Sequence, residues 1–237
     1  MAPREEHVTE GPMPATDGYG AIWDMDGTLV DTAELHFQAW GAVCRELGRD
    51  FSRADFAATF GRRNPEIMDV LFPGRFSAAE VDRIGERKEQ LYRAAAERLG
   101  VTLLPGVRPL MEGLHRLGVK QAIGSSAPRA NLDLILRLTG IEGFLSAVVS
   151  AEDTTRGKPD PQVFLVAAQR LGVEPRRCVV FEDAPAGVEA AKAGGMKCIA
   201  VRFVGHHSAD KLARAGADRV VASLEEVSPE DVLRLLR

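Results

Sequence analysis

Cysteine is scarce: the 237 residues hold three, Cys44, Cys178 and Cys198, odd in number and far apart. No zinc-type spacing joins them, and two sit in strand-like apolar runs. They read as reduced thiols of a cytoplasmic protein, not as a disulfide framework. Long apolar runs are also missing, since none approaches the ~18 residues that a membrane span needs. The first residues, MAPREEHVTEGPMPATDG, carry no apolar signal region. Their Pro, Gly, Glu and Thr content predicts a loose leader over residues 1–17, ordered only if something docks it. Charge of one sign is lacking too: 30 Lys and Arg against 34 Asp and Glu leave a net −4. That balance gives no pull toward nucleic acid or an anionic membrane. What remains, 45% apolar and 27% charged, suffices for a full core and a second small domain.

Apolar runs alternate with helical patterns over most of the chain. YGAIW, VKQAIGS, AVVS, CVVFE, KCIAVRF and DRVVAS read as short buried strands. Asp160-Pro161 and Ser228-Pro229 open helices, and Gly172 ends one. This alternation predicts an α/β fold, a Rossmann-like parallel sheet covered on both faces. Residues 33–104 break the pattern with helix after helix. Ser77 and Glu80 form a capping box there, followed by a stripe of Val81, Ile84, Lys88, Leu91, Ala95 and Leu99. The division expected is an α/β core over 18–32 and 105–237 with a helical insert over 33–104. The links near Asp31–Ala33 and Leu104–Gly106 form a hinge.

In open α/β sheets, ligands bind beyond the carboxyl ends of the strands. The polar residues at those ends converge: Asp24-Met25-Asp26-Gly27-Thr28, then Gly124-Ser125-Ser126, Gly157-Lys158-Pro159 and Glu182-Asp183. A hard ion such as Mg²⁺ takes oxygen ligands. Asp24 and Asp183 offer side-chain oxygens, Asp26 its backbone carbonyl, and Glu182 either ligates or holds a metal-bound water. A cation would offset the repulsion among these acids. A phosphate would meet the Ser125 hydroxyl and the amides of Ser126 and Ala127, read as opening a helix with Pro128 at its first position. Lys158 adds a compact charge. Asp24 then serves as nucleophile and Asp26 as acid and base, which requires a raised pKa. Gly27 permits the tight turn, and the Thr28 hydroxyl is placed to tether Asp26.

These segments resemble the haloacid dehalogenase superfamily of aspartate-nucleophile phosphotransferases. WDMDGTLVDT resembles its first motif, IGSS its second, GKPDP its third and FEDAPAGVEAAKAGG its fourth, in the family's order. The likeness covers nearly everything from Gly18 onward. It implies a small helical cap after the first strand, Mg²⁺ as cofactor and an aspartyl-phosphate intermediate. An acid at Asp26 resembles the phosphate-processing members.

TAELHFQAW resembles the opening of the β-phosphoglucomutase cap, with Thr32 and His36 in matching places. That branch places a lysine and an arginine in the cap loop, where this chain has Phe60 and Asn64. The reading is therefore hydrolysis of a small phosphorylated metabolite, with the mutase as alternative and a non-catalytic phosphate-binding module behind both. Arg62, Arg63 and Asn64, in FGRRNPE, are the candidate contacts for the non-reacting end of the substrate. His36, a satisfied core histidine by default, otherwise supports Asp26. His206-His207 reads as a plain loop. The expected partner is the metabolite alone, with no nucleic acid or membrane, the chain acting as a monomer or weak dimer.

Overall fold

A computed structural model describes residues 18–237; the leader expected over 1–17 lies outside the described residues. Six strands form where the apolar runs predict them: β1 Gly20–Trp23, β2 Lys120–Gly124, β3 Ala147–Val149, β4 Cys178–Glu182, β5 Lys197–Val201 and β6 Arg219–Val221. They make one parallel sheet in the order β3-β2-β1-β4-β5-β6. Ile22 of β1 pairs with Ala122 on one side and Val180 on the other. The strand order reverses at β1 and β4, so their carboxyl ends flank the crevice where such sheets bind ligands.

Alternation of side chains across the strands builds two apolar layers. Ala21, Trp23, Ile123, Val179, Phe181 and Ile199 face α5 (Val107–Arg116) and α10 (Pro229–Leu236), which contribute Leu110, Leu114, Val232 and Leu233. Ile22, Ala122, Val180 and Cys198 face α7 (Gln162–Leu171) and α8 (Pro185–Ala193) through Phe164, Ala167, Val188 and Ala191. Trp23 and Phe181 stack with ring centroids 3.9 Å apart. The buried Trp23 Nε1 donates to Gln121 Oε1 at 3.1 Å, and Gln121 Nε2 donates to the Met111 carbonyl at 2.9 Å. Helices α6 (Arg129–Thr139) and α9 (Ala209–Arg214) complete the cover. All three cysteines are buried free thiols.

Between β1 and β2 lies an all-helical cap: α1 Ala33–Glu46, α2 Arg53–Thr59, α3 Asn64–Leu71 and α4 Ala78–Leu99. It has its own apolar cluster of Trp40, Val43, Cys44, Ile67, Met68, Leu71 and Phe72. The two connections run side by side, because Leu104 N donates to the Leu29 carbonyl at 2.9 Å and Val30 bridges Leu103.

Three local expectations need correction. The Ser77–Glu80 capping box does start α4, and Val81, Ile84, Lys88, Leu91 and Ala95 of the expected stripe do face the apolar clusters or lie buried. The fully buried residues, however, are Gly85, Lys88, Glu89, Tyr92 and Ala96, and Leu99 at the end of the stripe is 57% exposed. Gly85 lets α3 pack close, since a Cβ there would meet Asn64 Nδ2 at 3.2 Å. Pro128 is the N-cap of α6, so the helix opens at Arg129 and Ser126 and Ala127 belong to the loop before it. Asp160 caps α7 from one residue further out, its Oδ1 accepting from Gln162 N at 3.0 Å.

Candidate active site

Asp24 extends β1 by one residue, its N donating to the Phe181 carbonyl at 3.0 Å. This sets its side chain in the crevice between β1 and β4. The chain then turns at Gly27, whose φ is +85° and whose N donates to the Val30 carbonyl at 2.8 Å. A Cβ at Gly27 would lie 2.1 Å from Asp183 Oδ2. Glycine is required there both for the positive φ and for the close approach of that carboxylate.

Lys158 Nζ joins the two strand ends, donating to Asp24 Oδ1 at 2.7 Å and to Glu182 Oε1 at 2.6 Å. Glu182 Oε2 accepts from the amides of Asp183 and Ala184 at 2.7 and 2.8 Å. Both Glu182 oxygens are therefore engaged by protein donors. Asp183 differs, because its buried Oδ2 has no hydrogen-bond partner. Burial drives the Asp24 carboxyl up to about 7, against the pull of Lys158 and with a push from Glu182 and Asp26. Asp183 is also held well above its ordinary value, by burial first and then by the charges of Glu182 and Asp24. Burial alone would discharge Lys158, yet its two carboxylate partners hold the ammonium above its ordinary value.

Oxygens of Asp24, Glu182 and Asp183 lie within 4.8 Å of one another. An orphaned buried carboxylate oxygen in an all-oxygen acidic cluster fits a hard divalent cation. Such an ion would satisfy Asp183 Oδ2 and offset the like charges that burial amplifies.

Asp26 sits one turn away and is held from the cap side. Thr32, not Thr28, tethers it: the Thr32 hydroxyl donates to Asp26 Oδ1, while Thr28 is fully buried with Oγ1 unpartnered. The turn at Gly27 and the Asp26–Val30 bridge return the chain so that the residue before α1 faces Asp26. His36 Nε2 lies 3.3 Å from the same Oδ1, and Lys88 Nζ lies 2.8 Å from His36 Nδ1. Because the ammonium only donates, Nδ1 accepts and Nε2 carries the proton toward Asp26. Tyr92 stacks on His36 at 4.2 Å. Burial would raise the Asp26 pKa, but His36, Thr32 and Lys88 outweigh it and leave the group below its ordinary range. This corrects the raised value expected from the acid role.

Behind Lys88 lies a polar group that the sequence reading passed over. Glu89 Oε1 accepts from Lys88 Nζ at 2.9 Å and from Asn64 Nδ2 at 2.8 Å, and Oε2 accepts from Asn131 Nδ2 at 2.7 Å. Lys88 and Glu89 are each 3% exposed at the side chain. Burial works against the Glu89 charge, but Lys88, His36 and the Asn131 bond keep it ionised below its ordinary range. The one signal was a charged residue, Lys88, on the apolar stripe of α4 with Glu89 beside it. Asn64, expected to touch substrate, spends its amide on Glu89.

A cavity of about 790 Å³ brings the site together. Asp24, Asp26, Lys158, Glu182 and Asp183 form its floor, with Ser125, Ser126 and Ala127 at one side. His36, Arg62, Asn64 and Glu89 line it from the cap; Thr28 is not among the lining residues. Ser125 Oγ accepts from Ala127 N at 3.1 Å, which leaves the hydroxyl proton to donate. His206, expected in a plain loop, packs its ring 5.0 Å from that of Phe60 in the cap.

Known proteins similar to this chain include phosphatases and a phosphomutase. A phosphorylated carbohydrates phosphatase of Thermotoga maritima is 30% identical over 91% of this chain and 97% of its own length. The β-phosphoglucomutase of Bacillus subtilis is 34% identical over 76% of this chain and 81% of its own. An Arabidopsis thaliana chloroplast phosphatase is longer, and this chain spans 57% of its length. The crystal structure of β-phosphoglucomutase from Clostridium difficile superposes with a TM-score of 0.82 at 26% identity, covering 92% of this chain and 96% of that one. Residues 20–195, from β1 to the end of the turn after α8, match the model of the haloacid dehalogenase-like hydrolases, and the chain belongs to that family.

Proposed function

We propose that this protein is a Mg²⁺-dependent phosphomonoester hydrolase that acts on a small phosphorylated metabolite through phosphorylation of Asp24. The observation that carries the reading is the Asp24 carboxylate, seated at the crevice and gripped by Lys158 at 2.7 Å, beside the unpartnered oxygen of Asp183. Asp24, Asp183 and the Asp26 backbone carbonyl would hold the ion, with Glu182 serving to fix Lys158. Bound there, Mg²⁺ supplies charge that brings a phosphate dianion into an acidic site. In this division, residues 33–104 act as the cap, and 18–32 with 105–237 as the core.

Asp24 attacks phosphorus in line while Lys158 and the Ser125 hydroxyl hold non-bridging oxygens. Thr32 and His36 both engage Asp26 at Oδ1, leaving Oδ2 for the reaction. The arriving dianion raises the proton affinity of Asp26, as a nearby like charge does. Asp26 takes up a proton from solvent as the substrate binds, gives it to the leaving oxygen, and as carboxylate regains one from the water that cleaves the acyl phosphate. The pKa that the free site holds low is thereby switched by the substrate.

A second reading, the phosphomutase, is favoured by the likeness to the B. subtilis and C. difficile enzymes. It requires a site for a second phosphate, and the cap residue at that position, Asn64, is neutral and committed to Glu89. The test is phosphate release from aryl phosphate and a panel of phosphorylated metabolites. Release that needs Mg²⁺ and vanishes in Asp24→Asn supports the hydrolase. Formation of glucose 6-phosphate from β-glucose 1-phosphate, primed by a bisphosphate and without net phosphate release, supports the mutase instead. No turnover of any ester by the folded protein contradicts both.

A further inference from the structure

Lys158 is set against Asp24 by the segment that carries it, and that segment is held from the opposite wall of the cavity. Arg63 is the N-cap residue of α3, in the cap. Its guanidinium crosses to the core loop after β3. There Nη1 donates to the Thr154 carbonyl at 3.1 Å, and Nη2 donates to the Thr154 hydroxyl and to the Arg156 carbonyl at 3.2 Å. The chain runs from Arg156 through Gly157 straight into Lys158. From the core side, Gln162 Oε1 accepts from the amides of Thr155 and Arg156 at 3.0 and 2.9 Å. The segment is thus clamped between Gln162 of α7 and Arg63 of the cap.

Two further observations point the same way. Gly157 lies flush against the first turn of α3, since a Cβ there would meet Glu66 Oε1 at 2.8 Å and Arg63 Nε at 3.3 Å. Arg63 Nε is itself buried without a partner, a desolvation cost that a side chain on a free cap surface would not bear. The planar fork of a guanidinium suits two nearby carbonyls, and an ammonium cannot reproduce it. The adjacent Asn64 holds Glu89 and, through it, Lys88 and His36. One dipeptide of the cap therefore touches the supports of both Lys158 and Asp26.

We propose that Arg63 is a positioning residue: by docking on segment 154–157 it fixes Lys158 against Asp24. The inference rests on the hydrolase reading and deepens it. Not every cap–core contact has this role. Arg137 of α6 and Glu97 of α4 form an exposed bridge at 2.9 Å, and neither lines the cavity.

The experiment compares wild type, Arg63→Ala, Arg63→Lys and Arg137→Ala by aryl phosphate turnover and by amide hydrogen exchange. In Arg63→Ala, kcat is expected to fall about 10- to 100-fold with KM little changed, a displacement of the reacting groups being enough for such a loss. Low guanidinium ion should restore part of it in Arg63→Ala alone, and Arg63→Lys should recover little. Exchange over residues 154–158 should quicken in Arg63→Ala while the sheet stays protected, and Arg137→Ala should match wild type in both readouts. Wild-type kcat in Arg63→Ala overturns the proposal, as does an equal loss in Arg137→Ala. A loss of kcat with unaltered exchange at 154–158 also overturns it, by assigning Arg63 to the substrate itself. An inactive wild type defeats the hydrolase reading, and the exchange result then still decides whether Arg63 fixes the segment.

Discussion

Two threonines four residues apart have opposite fates. The Thr28 hydroxyl is buried with no partner, whereas the Thr32 hydroxyl donates to Asp26. Removing a buried hydroxyl that lacks a partner costs little, since its desolvation is already unrecovered. Thr28→Val is expected to fold with stability within ~1 kcal/mol of wild type and to keep its kcat. Thr32→Val loses a hydrogen bond to a carboxylate, a class of bond worth ~1.5–3 kcal/mol, and is expected to lower kcat by about tenfold or more. Parallel denaturation and steady-state assays check the pair; equal kcat losses would remove Thr32 from its assigned role. At this scale the acids and Lys158 were legible because charged residues at strand ends have one crevice to share. The tether was not, because local spacing favours Thr28 and only the path through Gly27 and Val30 brings Thr32 back. Glu89 was hidden for a similar reason: its partners Asn64 and Asn131 lie 25 and 42 residues away.

Helix and strand boundaries came from chemistry close in sequence. Ser77 with Glu80 and Ser228 with Asp231 form the capping boxes that start α4 and α10. The close approach of α3 to α4 at Gly85 is instead a contact between elements. Another such contact ties α7 to the turn after β3. Arg170 donates to Asp153, which also accepts from Ser150 N at 2.9 Å. The Arg170 bond foremost, then those from Ser150, draw the Asp153 carboxyl from 3.8 down to about 2. A depressed folded-state pKa stabilises above the ordinary carboxyl value and ceases to do so as pH falls toward the folded value. Water screens this partly exposed pair, so its worth is about 0.2–1 kcal/mol. Asp153→Asn is expected to be less stable than wild type by that amount near neutral pH, with the gap narrowing as pH falls from about 4 toward 2. Urea unfolding at both ends of the range measures it, and a gap independent of pH would contradict the assignment.

Taken whole, the molecule is a parallel α/β sheet with a four-helix cap closing over its ligand edge, and the cavity between them holds every charged group the proposed chemistry uses. Among the described residues no helix is long and apolar enough to cross a membrane. The alternation of strands and helices made the sheet readable in advance, and the helix-only stretch after β1 made the cap readable. How the cap meets the core was not readable, since Arg63 reaches Thr154 across 91 residues and the ring of His206 reaches Phe60. The central claim, that Asp24 is transiently phosphorylated, is tested most directly by mixing enzyme, Mg²⁺ and a substrate found in the metabolite screen, quenching in acid within the first turnover and mapping the phosphorylated peptide by mass spectrometry. Phosphate on Asp24, absent from Asp24→Asn, is the expected result; turnover with no phosphate on that side chain, or phosphate on another residue, would contradict the account.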